Sequence, residues 1–333
     1  MRRACEDSRV DSGWQSPMIH VEALLTENDL AEQFLAALRH RYLAEKFFYW
    51  FPLSVRAWLS LCQSAAPYKN FSRSYELIRK HAAEMARRFA ASSGKVEVVG
   101  LGAGQGDKDL LVLEALRDQG AEAAYRPVDS SQALLEIALA SAATSGFAAQ
   151  GLKADLADPR TAEALAASAR ERRLYLIVGN TLGVIGPVKF LETLRALLRP
   201  QDGVVLDGEI FNSKATLAGY DNPLNRQFAF APLASVGLED GRDGELVFET
   251  KSDAQLDGLH LVSKHFRAAR PLAITLAGEQ VALSAGQRIE MSSSYKYSSS
   301  ETFLGMVRET VGLEPLVEYR SDDRHFFMVL ARP

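Results

Sequence analysis

The first feature of the sequence that is suited to chemistry is a glycine-rich segment, which an acidic residue follows about 25 residues later. Residues 100–106 read Gly-Leu-Gly-Ala-Gly-Gln-Gly and follow a short β-branched run at 96–99. Glycine lets the backbone approach a ligand closely, and a helix that begins after such a turn presents free N–H groups. Asp129 lies 25 residues beyond Gly104, where a carboxylate can accept hydrogen bonds from ribose hydroxyls. This spacing predicts a site for a nucleoside-containing cofactor.

Two details distinguish between the cofactors that use this arrangement. Asp107 stands where the dinucleotide-binding fingerprint requires its third glycine, which argues against a nicotinamide cofactor. A third strand pattern ends at Asp155-Leu156, a pair suited to hold an adenine amino group and its apolar flank. We therefore predict a site for S-adenosylmethionine (SAM), with a nicotinamide dehydrogenase as the minor alternative.

Alternating strands and helices are predicted to position these residues. Strand patterns lie at residues 96–99, 125–129, 174–178 and 204–206, and helical patterns lie at 109–116, from 132 onward, and at 190–198. Such alternation is typical of a parallel sheet covered by helices on both faces. The predicted fold class is α/β, with a doubly wound, Rossmann-like sheet.

The alternation stops after residue 211, which predicts a second domain. Antiparallel-type patterns lie at about 245–250, 259–267 and 280–283, and a helix at 301–311 and a strand at 326–330 return to the α/β pattern. Helices are also predicted at about 21–42 and 75–91. We therefore predict a SAM-binding domain at 74–211 and 298–333, an inserted mixed α+β substrate or lid domain at 21–73 and 212–297, and a disordered leader at 1–20.

Composition and charge restrict the class of partner. The formal net charge is −4, so no basic field attracts nucleic acid or acidic membranes, and no apolar run approaches a membrane span. Cys5 and Cys62 are the two cysteines, and the six histidines lack the spacing of metal ligands. We expect a cytoplasmic protein that binds small molecules and uses no metal.

Several short motifs together give the sequence a resemblance to a known family. In chain order they are Lys46-Phe47-Phe48-Tyr49, Ser72-Arg73, Gly102-x-Gly104 with Lys108, Pro127-Val128-Asp129, Gly179-Asn180-Thr181-Leu182-Gly183, Tyr220-Asp221 and Ser294-Tyr295-Lys296-Tyr297. Over residues 45–333 their order and spacing resemble the histidine-specific SAM-dependent methyltransferase family of ergothioneine biosynthesis. The resemblance implies the class I methyltransferase fold, with the acceptor site between two domains.

The resemblance also implies functions for individual residues. It implies SAM contacts at Gly102, Lys108, Asp129, Asp155, Leu156 and, where the local alignment is looser, Tyr68. We extend the predicted cofactor site to Gly104, Ser130 and Asn180, which adjoin these positions in the sequence or follow the fourth strand.

The departures from the family pattern concern the acceptor. The asparagine that reads the substrate amino acid is Val184 here, and the glutamate that reads imidazole is Ser292. The Phe-Asn-x-Asn motif becomes Phe-Ala-Phe-Ala at residues 228–231, whereas Tyr49, Tyr220 and Ser294 are retained. A histidine would leave buried polar groups unpaired against Val184 and the phenylalanines, which costs kilocalories. We therefore predict that histidine is not the acceptor.

Two reactions remain open, and we favour the second. In the first, the α-amine of another amino acid attacks the SAM methyl group. In the second, SAM's own α-amine attacks its γ-carbon, which gives azetidine-2-carboxylate and methylthioadenosine, and the sequence is similar to the synthase group that does this. That reaction needs a neutral amine, a folded aminobutyrate arm and a shielded methyl group. A SAM-binding regulator without turnover is a third possibility, which the retained family residues disfavour.

The predicted catalytic residues follow from these requirements. Tyr49, Tyr175 and Tyr220 offer aromatic faces to the sulfonium by cation–π attraction, worth about 0.5–2 kcal/mol each. Asn180 is predicted to accept a hydrogen bond from the amine and to aim its lone pair. Ser294, retained from the family motif, completes the set.

Overall fold

A computed structural model of the chain describes residues 19–64, 69–89, 94–254 and 256–333. The helices in these ranges are α1 (Glu27–His40), α2 (Pro52–Gln63), α3 (Asn70–Phe89), α4 (Asp107–Asp118), α5 (Gln132–Thr144), α6 (Pro159–Ser168), α7 (Thr181–Val184), α8 (Pro187–Leu197), α9 (Ser213–Tyr220), α10 (Pro223–Ala234) and α11 (Ser300–Gly305). A 3-10 helix occupies Glu45–Tyr49, and a π-helical turn follows α11 at Met306–Thr310.

The strands fall into three sheets. They are β1 (Val21–Ala23), β2 (Tyr42–Leu43), β3 (Lys95–Leu101), β4 (Glu122–Asp129), β5 (Ala148–Ala149), β6 (Gly151–Lys153), β7 (Arg172–Ile177), β8 (Gly203–Glu209), β9 (Gly244–Ser252), β10 (Leu259–Ala268), β11 (Leu272–Leu276), β12 (Glu279–Leu283), β13 (Arg288–Tyr297), β14 (Glu314–Arg320) and β15 (Phe326–Arg332).

The largest sheet has the strand order β1-β6-β4-β3-β7-β8-β15-β14, with β5 beside β4. Strands β1 to β8 of this sheet run parallel, and β15 and β14 are antiparallel additions at one edge. Chain order reverses at β3, which has β4 on one side and β7 on the other. In open α/β sheets ligands bind outside the carboxyl ends of the strands at such a reversal. The predicted doubly wound α/β architecture is confirmed.

Helices cover both faces of this sheet, because its strands are apolar on both sides. Leu77 of α3 and Leu113 of α4 pack on one face, and Leu191 of α8 and Phe303 of α11 pack on the other. These two cores fix the strand ends, and therefore the loops that follow them.

A four-stranded sheet, β2-β13-β10-β9, lies beside the large one and carries a core of its own. Helices α1, α2 and α10 and the 3-10 helix pack on it, with Phe34, Phe48 and Phe266 among the fully buried residues. An isolated bridge between Ile210 and Tyr297 connects β13 to the end of β8. The hairpin β11–β12 forms the third sheet.

The observed elements differ from the predicted ones at a few points. Strand β1 extends the large sheet, although residues 21–73 were predicted to belong to the substrate domain; the rest of that division stays a prediction. The first helix begins at Glu27 rather than near residue 21, because Thr26 caps it in a capping box with Asp29. The predicted helix at 301–311 is split between α11 and the π-helical turn. Residues 1–18 of the predicted leader, with Cys5, lie outside the described residues.

Across the described ranges, no helix is both long and apolar enough to cross a membrane. In the same ranges, no three His, Cys, Asp or Glu side chains are grouped as metal ligands would be.

Candidate active site

A cavity of about 570 Å³ opens where β3, β4, β6 and β7 end, and the four-stranded sheet forms its opposite wall. This volume is within the range of small-molecule sites, about 300–1,000 Å³. The predicted cofactor residues that line it are Gly102, Gly104, Lys108, Asp129, Ser130, Asp155, Leu156 and Asn180. Below, "the main cavity" denotes this space.

The glycine loop after β3 has the backbone geometry that only glycine adopts without strain. Gly102 and Gly104 have φ angles of 72° and 57°, and a Cβ on Gly102 would lie 2.6 Å from Cγ2 of Thr181. The Gly104 N–H donates to Oδ2 of Asp129 at 2.9 Å, and the Ser131 N–H donates to Oδ1 at 2.9 Å. Burial raises the pKa of Asp129, and these N–H groups oppose part of that rise. The loop and the acid are therefore one hydrogen-bonded unit.

Lys108 brings a buried positive charge to the main cavity. Its side chain leaves the first turn of α4, and Nζ lies 4.2 Å from the centre of the Phe71 ring. The residue is 8% exposed, and within the described ranges no carboxylate oxygen lies within 4.0 Å of its Nζ. An unpaired buried ammonium is costly, so an anionic group of a ligand would be its natural partner.

Asp155 connects the two sides of the main cavity. Its Oδ2 lies 2.5 Å from Nζ of Lys46, which belongs to the 3-10 helix, and its Oδ1 accepts a hydrogen bond from the Ala157 N–H. The two side chains are 21% and 15% exposed. The Lys46–Asp155 pair therefore connects the 3-10 helix to the loop after β6.

Asn180, Tyr220 and Ser294 meet in a buried polar network. Asn180, with a φ of 71°, directly precedes the short helix α7, and its Nδ2 donates to Oγ of Ser294 at 3.0 Å. The Tyr220 hydroxyl lies within hydrogen-bond distance of the same Oγ, at 3.1 Å. Lys296 Nζ donates to Asn180 Oδ1 and to Ser294 Oγ, at 2.8 Å each. Because an ammonium only donates, it fixes the orientation of the Asn180 amide.

Three aromatic rings from separate helices form a cluster on the wall of the main cavity. The ring centres of Tyr49 and Trp58 are 5.3 Å apart, and both lie 5.4 Å from the ring centre of Phe228. These are the distances of edge-to-face and tilted aromatic packing. We call Tyr49, Trp58 and Phe228 the aromatic triad.

A pair of opposite charges lies on the same wall. Lys264 Nζ is 3.9 Å from Oε2 of Glu45 and 4.1 Å from the centre of the Phe48 ring. The Glu45 Oε2 atom is buried and has no hydrogen-bond donor in the described ranges, whereas Oε1 accepts from the Tyr49 hydroxyl at 3.1 Å. Burial lowers the pKa of Lys264, and Glu45 opposes part of that shift.

The structure brings most of the predicted residues together, with two corrections. Tyr175 does not face the main cavity: it is 1% exposed, lies in the middle of β7 with its hydroxyl 3.3 Å from Arg173, and packs under the helices instead of at the strand end. Phe230 packs against Phe266 in the core, because two residues along a helix turn the side chain by about 200° away from Phe228. Tyr68 lies outside the described residues.

Sequence reasoning missed several residues of the main cavity. Trp58, Phe71, Glu45 and Lys264 all line it. The one available indication for Lys264 was a charged residue at an apolar position of the alternating pattern in β10, beside Val262 and Phe266. Glu45 directly precedes the Lys-Phe-Phe-Tyr motif, and no pattern marked it as buried.

Comparisons with known proteins found a matching family model and a related sequence. The family model described as histidine-specific methyltransferase, SAM-dependent, matches residues 30–333. The chain is 30% identical over 171 residues to histidine N-alpha-methyltransferase of Mycobacterium tuberculosis (strain CDC 1551 / Oshkosh), a match over 49% of this chain and 51% of that protein. The match thus spans about half the length of that relative.

Two solved structures are among the matches found. A putative methyltransferase from Thermobifida fusca has a TM-score of 0.44 at 12% identity and covers 89% of this chain and 96% of its own. A SAM-dependent methyltransferase from Clostridium acetobutylicum ATCC 824 has a TM-score of 0.43 at 12% identity, with 80% and 95% covered.

The family match extends over the sheet and the main cavity alike. The large sheet thus has the class I SAM-dependent methyltransferase fold. The chain belongs to the histidine-specific SAM-dependent methyltransferase family.

Proposed function

We propose that the enzyme converts SAM alone into azetidine-2-carboxylate and methylthioadenosine. The observation that carries the proposal is the aromatic triad, which lines the main cavity beside Val184 and Ser292, where the family carries its histidine-reading groups. Three ring faces stabilise a sulfonium more than a neutral thioether, at about 0.5–2 kcal/mol for each well-placed ring. Methylthioadenosine is neutral, so its release is favoured after the C–S bond breaks.

The reaction is an intramolecular displacement at the γ-carbon of SAM. The lone pair of the neutral α-amine forms the N–Cγ bond while the Cγ–S bond breaks, and sulfur keeps the bonding electron pair. The ring nitrogen becomes a secondary ammonium. One proton must leave the bound α-ammonium before the attack, so turnover rises with pH until that amine titrates.

The polar network of Asn180, Tyr220 and Ser294 supports the proposal, because it can orient the amine. Asn180 Oδ1 already accepts a hydrogen bond from Lys296, which leaves one further lone pair for a substrate N–H. Orientation of this kind stabilises the transition state more than it improves binding. Substitutions here should therefore lower turnover more than SAM affinity.

The test is incubation of purified enzyme with SAM alone at pH 7 to 9, followed by mass spectrometry of both products. Methylthioadenosine by itself is not sufficient, because attack by the SAM carboxylate on the same γ-carbon gives it together with a five-membered lactone. Azetidine-2-carboxylate above the enzyme-free rate is the expected result. Its absence across this pH range would rule out cyclisation.

A matched pair of variants tests the aromatic triad. Phe228→Leu removes a ring face but keeps an apolar side chain, and we expect SAM affinity to fall by about 2-fold to 30-fold. Phe230→Leu is the control, because this ring lies on the same helix and packs in the core. Equal losses in the two variants would mean that the ring acts through packing rather than through the sulfonium.

The Glu45–Lys264 pair favours a second candidate, N-methyl transfer to an external amino acid other than histidine. Among the residues that the structure describes, Glu45 Oε2 has no hydrogen-bond donor, and Lys264 Nζ lies 3.9 Å from it, so the amine and the carboxylate of one zwitterion could meet both. In that reaction S-adenosylhomocysteine forms only when an amino acid is added. Lys264→Met would then raise the acceptor KM, whereas SAM cyclisation has no acceptor KM to change.

A further inference from the structure

A second cavity, of about 450 Å³, lies behind the polar network of the active site. Asn70, Glu209, Thr216 and His325 are among the residues that line it, and Tyr220 lines both cavities. Only a few buried side chains therefore separate the two spaces.

These side chains form one unbroken line of polar contacts. Ser294 Oγ, at the main cavity, accepts from Lys296 Nζ at 2.8 Å, and Lys296 Nζ lies 3.1 Å from Oε2 of Glu209. Glu209 in turn lines the second cavity, where the Asn70 amide donates to its Oε2 at 2.7 Å. Lys296 is 0% exposed and Glu209 is 5% exposed, so water does not screen these contacts.

Both candidate reactions must remove one proton from a bound α-ammonium before the amine can attack. On the wall of the aromatic triad, the Glu45 carboxylate already faces the Lys264 ammonium at 3.9 Å and accepts a hydrogen bond from the Tyr49 hydroxyl. The buried Glu209 carboxylate lines the second cavity and is connected to the main cavity through the Lys296 ammonium and the Ser294 hydroxyl, so it offers such a base at a distance.

We propose that Ser294, Lys296 and Glu209 form a proton route from the substrate amine to the second cavity. This inference rests on the proposed amine nucleophile, and it holds for cyclisation and for N-methyl transfer alike. Lys296 gives a proton to Glu209 and regains one from the Ser294 hydroxyl, which takes one from the substrate ammonium. Glu209 then passes its proton to solvent water, so each turnover returns the three groups to their starting state.

Other charged and titratable groups lie near this route and affect the charge states of its members. Around Lys296 they are Asp207, Glu45, Lys264, Tyr220 and Tyr297, and at the second cavity they are Lys69, Arg73 and His325. Burial lowers the pKa of Lys296, while Glu209 and Asp207 oppose that shift. A lysine with a lowered pKa exchanges protons with its neighbours more readily than an exposed one.

The test compares Glu209→Gln with wild-type enzyme in a pH series, with product formation and SAM affinity both measured. We expect turnover to fall at least about tenfold at pH 7 with little change in SAM affinity, and the deficit to shrink by pH 9. Glu209→Asp keeps a carboxylate and should retain most of the activity. Thr216→Val is the matched control, because it removes a hydrogen bond to Glu209, at 3.3 Å, but keeps the carboxylate and its contact with Lys296.

Chemical rescue of a Glu209 variant by a small carboxylate distinguishes a role in proton transfer from a purely structural role. Glu209→Ala enlarges the second cavity, and formate or acetate should restore part of its turnover in a concentration-dependent manner. A wild-type pH profile in Glu209→Gln, or no rescue in folded Glu209→Ala, would overturn the route while leaving the reaction standing. Wild-type enzyme that forms neither methylthioadenosine nor S-adenosylhomocysteine would overturn the proposed reaction and the route together.

Discussion

At the scale of single residues, Ser294 is the point where three polar side chains of the active site meet. Its Oγ lies within hydrogen-bond distance of Asn180 Nδ2, Tyr220 Oη and Lys296 Nζ. A hydroxyl oxygen accepts two hydrogen bonds and donates one, so not all three neighbours can donate at once. The Tyr220 hydroxyl is the one neighbour of the three that can also accept, so the hydroxyl protons of Ser294 and Tyr220 can change direction.

Lys108 is predicted to decide which nucleophile of SAM reacts. If its buried ammonium holds the SAM carboxylate, the five-membered lactone cannot close, although that ring is less strained than azetidine. Lys108→Met removes a hydrogen bond to a charged group, worth about 1.5–3 kcal/mol, so the lactone-to-azetidine ratio should rise by about tenfold to a hundredfold. Mass spectrometry of the amino-acid products measures this ratio. An unchanged ratio with weaker SAM binding would assign Lys108 to affinity alone.

Asp109, next to Lys108, is predicted to make stability depend on pH. Burial raises its pKa to about 6, although the Tyr125 hydroxyl donates to it at 2.6 Å. A raised carboxyl pKa stabilises the folded state at low pH, and this contribution is lost as pH rises to about 6. The free energy of unfolding of Asp109→Asn, taken relative to wild type, should therefore rise by about 1 kcal/mol between pH 5 and pH 8. Denaturant unfolding at both pH values measures it. Asp118→Asn, an exposed carboxylate on the same helix, should gain nothing.

At the scale of elements, the turn from β3 into α4 requires glycine at position 102 for two reasons, the left-handed backbone conformation and the close packing against Thr181. We expect Gly102→Ala to lower stability and SAM affinity, because φ is 72° and the added Cβ would meet Thr181 at 2.6 Å. The left-handed conformation alone costs about 1–2 kcal/mol in a residue with a Cβ. Gly120→Ala is the matched control, since its φ is 82° and no atom lies within 4 Å of the added Cβ. Thermal unfolding and SAM titration should both separate the two variants, and equal effects would contradict the packing argument.

The parallel sheet and its loops were predictable because their information is local. A continuous apolar run such as β7 and the glycine turn after β3 each lie within about ten residues of sequence. Tyr175 was assigned wrongly because a strand buried on both faces has no alternation to tell which side chains approach the ligand. The cavity begins at Val178, one residue beyond β7, so a residue in the middle of that strand is too far back.

The charge pairs were not predictable because they join distant parts of the chain. Glu45 meets Lys264 only after β2, β13 and β10 pair, and Glu209 meets Lys296 only where β13 passes the end of β8. One sequence without its fold does not specify such registers. Phe228 and Phe230 show the same limit, since α10 had to be known as a helix before their faces could be separated.

At the scale of the whole molecule, the Lys46–Asp155 pair holds the two sides of the main cavity together. Lys46→Met leaves Asp155 without this partner, and a partly exposed ion pair contributes up to about 1 kcal/mol. We expect faster amide hydrogen exchange in residues 45–63 and a SAM affinity lowered by about twofold to fivefold. Lys95→Met breaks the exposed pair with Glu122 at the far end of the sheet and serves as the control. Unchanged exchange in residues 45–63 would contradict a clamping role.

The aromatic triad contains a tryptophan, Trp58, whose fluorescence should depend on what occupies the main cavity. Of the two tryptophans in the described ranges, Trp58 lines the main cavity, whereas Trp50 lies outside it with its indole N–H bonded to Glu27. A cation that arrives beside an excited indole shifts or quenches its emission, and a neutral thioether has a smaller effect. The fluorescence of Trp58 should therefore change when the sulfonium binds and recover as the neutral product forms. Stopped-flow fluorescence, without an added label, would then follow SAM binding and the chemical step as separate phases. Trp58→Phe would remove this signal.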